Sequence, residues 1–196
     1  MPSSAPAYTK TAIALHWLIA LALIFMLGLG WGFADIPSGE TKTALIQVHK
    51  SVGITILLLG LARIGWRLSH RVPPLPDAMP AWEKRAARIV HTLLYIATIE
   101  MPLSGWAMVS ANPHGPLTLF GILPWPYLHF LPADVNKAEI ARLLFDAHGF
   151  SASFLALLIA GHAAAALKHH FIARDDILLR MAPQRCAGFL NRLRGE

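Results

Sequence analysis

Four stretches of the chain run apolar for long enough to cross a bilayer, and polar, proline-rich segments separate them. A transmembrane helix needs about 20 mostly apolar residues to cross roughly 30 Å of hydrocarbon. The first stretch, about residues 11–34, contains no charged residue. It is too long for a signal-peptide core of about 7–15 residues, so it reads as a retained span. The second covers about 43–68, the third about 86–111 and the fourth about 143–171. Helix breakers mark the connections: Pro37, Ser38 and Gly39 in the first, and Pro73, Pro74, Pro76 and Pro80 in the second. The third connection, about 112–140, holds Pro113, Pro116, Pro124, Pro126 and Pro132. Its Phe120, Trp125, Tyr127 and Phe130 suit a segment lying along the membrane interface, where aromatic rings settle. The predicted fold is all-α, an integral membrane four-helix bundle. One transmembrane domain is expected over residues 1–183, with a basic cytoplasmic tail at 184–196 and a short surface helix somewhere beyond Arg174.

Composition sharpens this. Only 14% of residues are charged and 55% are hydrophobic, whereas a soluble domain is about a quarter charged. The net charge of +6 does not point to nucleic acid, because the basic residues flank apolar segments instead of forming one stripe. With four spans, both termini and the second connection share one side. Thirteen of the 17 lysines and arginines fall there, and only Lys42, Lys50, Lys137 and Arg142 fall opposite. The positive-inside rule then puts both termini in the cytoplasm. The single cysteine, Cys186, excludes an internal disulfide framework and Cys-x-x-Cys-His attachment of haem.

The spans carry histidine where ionisable residues are costly and usually functional: His16, His49, His91, His148 and His162. Neutral imidazole is a good iron ligand, and bundle cores place such ligands on facing helices. Depth sorts them. The first helix runs outward and the fourth inward, so His16 and His162 both lie toward the cytoplasm. By the same count His49 and His148 lie toward the outer face. His148 and His162 are 14 residues apart, which turns them to within roughly 40° of each other and separates them by about 21 Å along the axis. Two haems stacked across the membrane match that spacing, with His16 and His162 on the inner iron and His49 and His148 on the outer. Zinc is the rival metal, but it prefers four ligands and the one carboxylate nearby is Glu100.

These residues sit in segments that resemble the bacterial four-helix di-haem cytochrome b-561 family. The matching pieces are Ala14-Leu-His16-Trp17, Val48-His49-Lys50-Ser-Val-Gly53, His91-Thr-Leu-Leu-Tyr95 and Pro102-Leu-Ser-Gly-Trp106. They continue through Asp146-Ala-His148-Gly149, the run from Gly161-His162 to His169-His170-Phe171, and Arg174-Asp-Asp-Ile-Leu-Leu-Arg180-Met-Ala-Pro183. The resemblance covers nearly the whole chain. It implies two b-type haems on the same four histidines, a multi-pass protein of the bacterial inner membrane, and electron exchange with quinone. The family includes respiratory cytochromes and a superoxide oxidase that passes electrons from external superoxide to ubiquinone.

Two features stand against the narrower, superoxide assignment. A fast oxidase of an anion should steer it with positive charge, whereas the outer face sets four basic residues against Asp35, Glu40, Asp134, Glu139 and Asp146. Lys50 and Arg142 remain candidates for a local patch. Glu100 departs from the family's apolar pattern ahead of Pro102, and a charged carboxylate at mid-depth costs about 2.5–3.5 kcal/mol on insertion scales. It is expected to be protonated or to face the bundle interior.

Secondary candidates surround the inner level. Arg63 and Arg67, one turn apart, suit pairing with a haem propionate or plain positive-inside anchoring. His91 and His169 are candidates for propionate or quinone contact, against the simpler reading of helix-end histidines. His170 is expected at the interface, and His70, His114 and His129 in solvent. Three functions stay open. One is an oxidoreductase taking electrons from superoxide to ubiquinone. Another is an electron carrier or membrane anchor for a separate, for example periplasmic, redox partner. The third is a non-haem metal transporter. No soluble catalytic domain or nucleotide motif is present to supply a donor.

Overall fold

The structure is a computed structural model that describes residues 7–113, 116–132 and 135–195. His114 and Asp134, both counted above as polar positions of the third connection, lie outside the described residues.

Helix α1 spans Lys10–Gly32, α2 Glu40–Ser69, α3 Ala81–Ala111 and α4 Lys137–Lys168. Among the described residues these four are long and apolar enough to cross a membrane. The spans fall where the apolar runs place them, but α3 starts five residues and α4 six residues before the expected boundary. In both cases the added turns are polar, with Glu83 or Glu139 in the first turn facing the positive end of the helix dipole. A window tuned to apolarity stops short of such turns. Thr9 caps α1 by accepting from the amide of Ala12, and Asn136 caps α4 by accepting from Glu139.

Along the chain each long helix packs on the next, α1 on α2, α2 on α3 and α3 on α4, while α4 makes no comparable contact with α1 or α2. The buried core is a belt at mid-depth: Ile19 and Leu23 of α1, Ile56 of α2, Ala97 of α3 and Leu155 of α4. Three of these stand seven residues from a histidine, Leu23 from His16, Ile56 from His49, and Leu155 from both His148 and His162. Seven residues are close to two turns, so each histidine shares a helix face with the core. The belt therefore separates an outer from an inner histidine level.

The third connection folds back over the outer end of the bundle and contains a feature the sequence did not suggest. Thr118–Leu119 and Leu123–Pro124 pair as a minimal antiparallel hairpin, Thr118 opposite Pro124. Its turn places Phe120 at φ 53° and Gly121 at φ 72°. The amide of Phe120 donates to Ser51 Oγ at 2.8 Å, Leu128 N to Ser110 Oγ at 3.0 Å and Trp106 Nε1 to the Pro126 carbonyl at 2.9 Å. Ser51 is buried but fully used, since its hydroxyl donates to the Gln47 carbonyl.

At the opposite end the N-terminal segment, the second connection and the C-terminal segment meet. Trp17 Nε1 donates to the Met181 carbonyl at 2.8 Å, and Arg180 Nη1 to the Pro74 carbonyl. Beyond α4 the helix widens into a π turn over His169–Ala173, closed by Arg174 in the left-handed region, and continues as short α5, Ile177–Met181, and α6, Gln184–Arg194. His170 does not face the interface as expected. It is fully buried, with Nε2 bonded to the Leu190 carbonyl of α6. The returning helix, remote in sequence, covers it.

Candidate functional site

The structure brings the four expected histidines together in two pairs. The ring centres of His16 and His162 lie 6.1 Å apart with planes at 77°, and those of His49 and His148 lie 6.2 Å apart at 69°. A metal–imidazole bond is about 2 Å, so two imidazoles on opposite sides of one ion put their centres about 6 Å apart. Both pairs meet that requirement, and both bridge helices that otherwise meet only weakly, α1 with α4 and α2 with α4, through the belt at Leu155. Helix α4 carries two of the four rings, yet Leu155 is the one buried residue within it. It stands off from α1 and α2, as a flat group held between them requires.

Finer features agree with a bound group. Among the described residues His49 Nδ1 is buried without a hydrogen-bond partner, which is costly for a polar atom unless something else engages the ring. Glycines let the helices come close to the rings. A Cβ at Gly30 would stand 3.5 Å from His49 Cε1, and one at Gly105 would stand 3.2 Å from His148 Cε1. Three-histidine or mixed clusters able to hold an ion alone are absent among the described residues. The donor set is two imidazoles per level, which suits an iron whose remaining positions a porphyrin fills and leaves zinc under-coordinated.

The secondary candidates divide. His91 joins the inner level, its ring 5.3 Å from that of His162. Arg63 Nη1 donates to the Ala12 carbonyl at 2.8 Å, tying α2 to α1. The Arg63 and Arg67 guanidinium carbons lie 5.8 and 5.5 Å from the ring centre of Tyr95, which sequence reasoning had not singled out. The structure does not bring His169 to the paired rings. Its Nδ1 meets Asp175 Oδ2 at 2.6 Å and its Nε2 lies 3.4 Å from Glu83, which also binds Lys168 at 2.6 Å. His70 is exposed and stacked on Trp66 at 3.9 Å, and His129 is exposed. Glu100 is half-buried and accepts from Ser151 of α4 at 3.3 Å, so its carboxyl reaches toward the α3–α4 seam. It also borders an apolar groove of about 640 Å³, with Tyr95 and Ser104 among the lining.

Residues 7–184 match the family model for prokaryotic cytochrome b561. The chain belongs to that family. Among curated relatives, cytochrome b561 homolog 1 of Escherichia coli (strain K12) is 32% identical over 185 residues, 91% of this chain and 98% of that protein. Cytochrome b561 homolog 2 of the same organism is 33% identical over 178 residues, 89% and 90% of the two chains. A protein of Yersinia pestis named probable superoxide oxidase CybB is 26% identical over 181 residues, 91% and 97%. Members of the prokaryotic cytochrome b561 family bind b-type haem and carry electrons. This chain is accordingly a multi-pass electron-transfer protein of the bacterial inner membrane.

Proposed function

We propose that this cytochrome b561 holds two b-type haems, one between His16 and His162 and one between His49 and His148, and moves electrons across the membrane to or from quinone. The observation that carries this reading is the pair of 6.1 and 6.2 Å histidine gaps, each between helices that pack far less than neighbours along the chain do. Haem iron supplies reversible one-electron chemistry when bound, and the chain sets its ligands, its spacing and the dryness of its surroundings. Leu155 and its core partners keep water out between the levels. Arg63 and Arg67 stand by the inner level to meet carboxylates. The basic bias of one face supports a cytoplasmic location for both termini and for this inner level.

Ubiquinone is the proposed acceptor. Superoxide is the proposed donor where the likeness to the Yersinia pestis protein extends to activity, and Lys50 beside His49 is the cation nearest in sequence to that entry point. The balance is simple: two superoxide ions lose one electron each and leave as oxygen, and the two electrons with two protons convert one quinone to its quinol. Rapid mixing of the purified oxidised protein with superoxide, with and without a short-chain ubiquinone, tests it. Absorbance at the reduced α-band should rise quickly and then decay only when quinone is present. Slow reduction even at low salt would leave the electron carrier serving a separate redox protein as the function.

A further inference from the structure

With His148 assigned to the outer iron as proposed above, its orientation is decided by α3. His148 sits in α4, but its hydrogen-bond partner is on α3: Ser104 Oγ lies 2.9 Å from His148 Nδ1. Which of the two donates is settled by the rest of Ser104. A serine hydroxyl has one hydrogen, and Ser104 directs it to the Met101 carbonyl at 2.8 Å, one turn back along its own helix. The oxygen is then left as the acceptor, and His148 Nδ1 must carry the hydrogen. The neutral ring that donates from Nδ1 has its lone pair on Nε2.

We propose that Ser104 is a positioning residue for the outer haem: it fixes His148 as the Nδ1–H tautomer and presents Nε2 to the iron. Gly105 completes the arrangement. It leaves room for the ring against α3, where a Cβ would stand 3.2 Å from His148 Cε1. The ligand ring is thus held by hydroxyl on one side and backbone on the other. Hydrogen bonding of this kind raises the basicity of an imidazole ligand and favours the oxidised metal. His49, across the gap, has no such support among the described residues, where its Nδ1 finds no partner. The outer site is therefore asymmetric, and the α3 side sets its potential.

The test is a redox titration of Ser104→Ala, Ser104→Thr and the native protein, with haem content and low-temperature electron paramagnetic resonance recorded for each. Ser104→Ala should keep both haems and raise the outer midpoint, on the order of a tenfold shift in the oxidised-to-reduced ratio, about 59 mV for one electron. The outer resonance should broaden as the ring loses its fixed orientation, and Ser104→Thr should restore both readouts. Ser153→Ala, which removes an exposed hydroxyl bonded only within α4, should change neither. An outer midpoint and resonance unchanged in Ser104→Ala would overturn the proposal. So would a shift that Ser104→Thr fails to reverse. Absence of two haems in the native protein would instead overturn the assignment beneath it.

Discussion

The outer and inner histidine levels are alike in the gap they leave and unlike in what surrounds it. Both pairs stand about 6 Å apart across weakly packed helix pairs. At the outer level the described neighbours are close and include no cation in range of the rings: Ser104 bonds His148, Gly30 and Gly105 leave room, Phe33 lies 5.4 Å from His49, and the acidic Glu100 stands within electrostatic range of His148. At the inner level the neighbours are larger and cationic. His91 adds a third ring, and Arg63 stands within electrostatic range of His16, His91 and His162. Positive charge beside a metal favours the state that holds the extra electron, and net charge and hydrogen bonding are among the means by which a protein sets haem potential. On the proposed two-haem assignment, one ligand geometry repeated in two electrostatic settings gives a downhill direction, from the outer level to the inner.

Three substitutions break or sharpen that contrast. The largest effect is expected at Gly105, where a methyl group meets the His148 ring closer than ordinary contact. Gly105→Ala should lower stability by about 1–3 kcal/mol, the usual cost of overpacking. It should also shift the outer spectrum, while Gly30→Ala, with its looser 3.5 Å contact, should leave both nearly unchanged. Thermal melts with parallel spectra decide this, and equal behaviour of the two variants would remove the idea that α3 fits the outer ring closely. Next is Arg63→Gln. Loss of a cation should lower the inner midpoint by roughly tenfold in equilibrium, about 59 mV, and leave the outer midpoint in place. A redox titration showing both midpoints displaced equally would mean that the charge does not belong to one level. The smallest effect is expected for Glu83→Gln, which weakens the ties to Lys168 and His169 at the end of α4. Such partly exposed pairs contribute about 0–1 kcal/mol. The melting temperature should fall slightly with both haem spectra intact.

Much of this was written in the sequence, for a physical reason. Membrane spans must be apolar along their length, so composition alone places them, and the seven-residue spacing of His148, Leu155 and His162 puts histidines and core on one helix face. Depth then pairs the histidines without any knowledge of packing. What escaped depends on contacts between segments far apart in the chain. His170 looks interfacial until α6 returns to cover it. The bond from His148 to Ser104 needs the register of α4 against α3, which no single-helix pattern holds. His169 lies seven residues beyond His162, on the same helix face, but Asp175 just beyond it and Glu83 of the distant α3 engage it. The hairpin at Thr118–Pro124 is two residues per strand, too short for alternation to register.

The most direct test is the haem content of two variants, one from each level. Purified native protein should carry two haems per chain by pyridine haemochrome assay. His148→Ala and His162→Ala should each retain one, and the midpoint that survives should differ between them, the higher remaining in His148→Ala. A full complement of haem in either variant, or the same surviving midpoint in both, would contradict two separate sites.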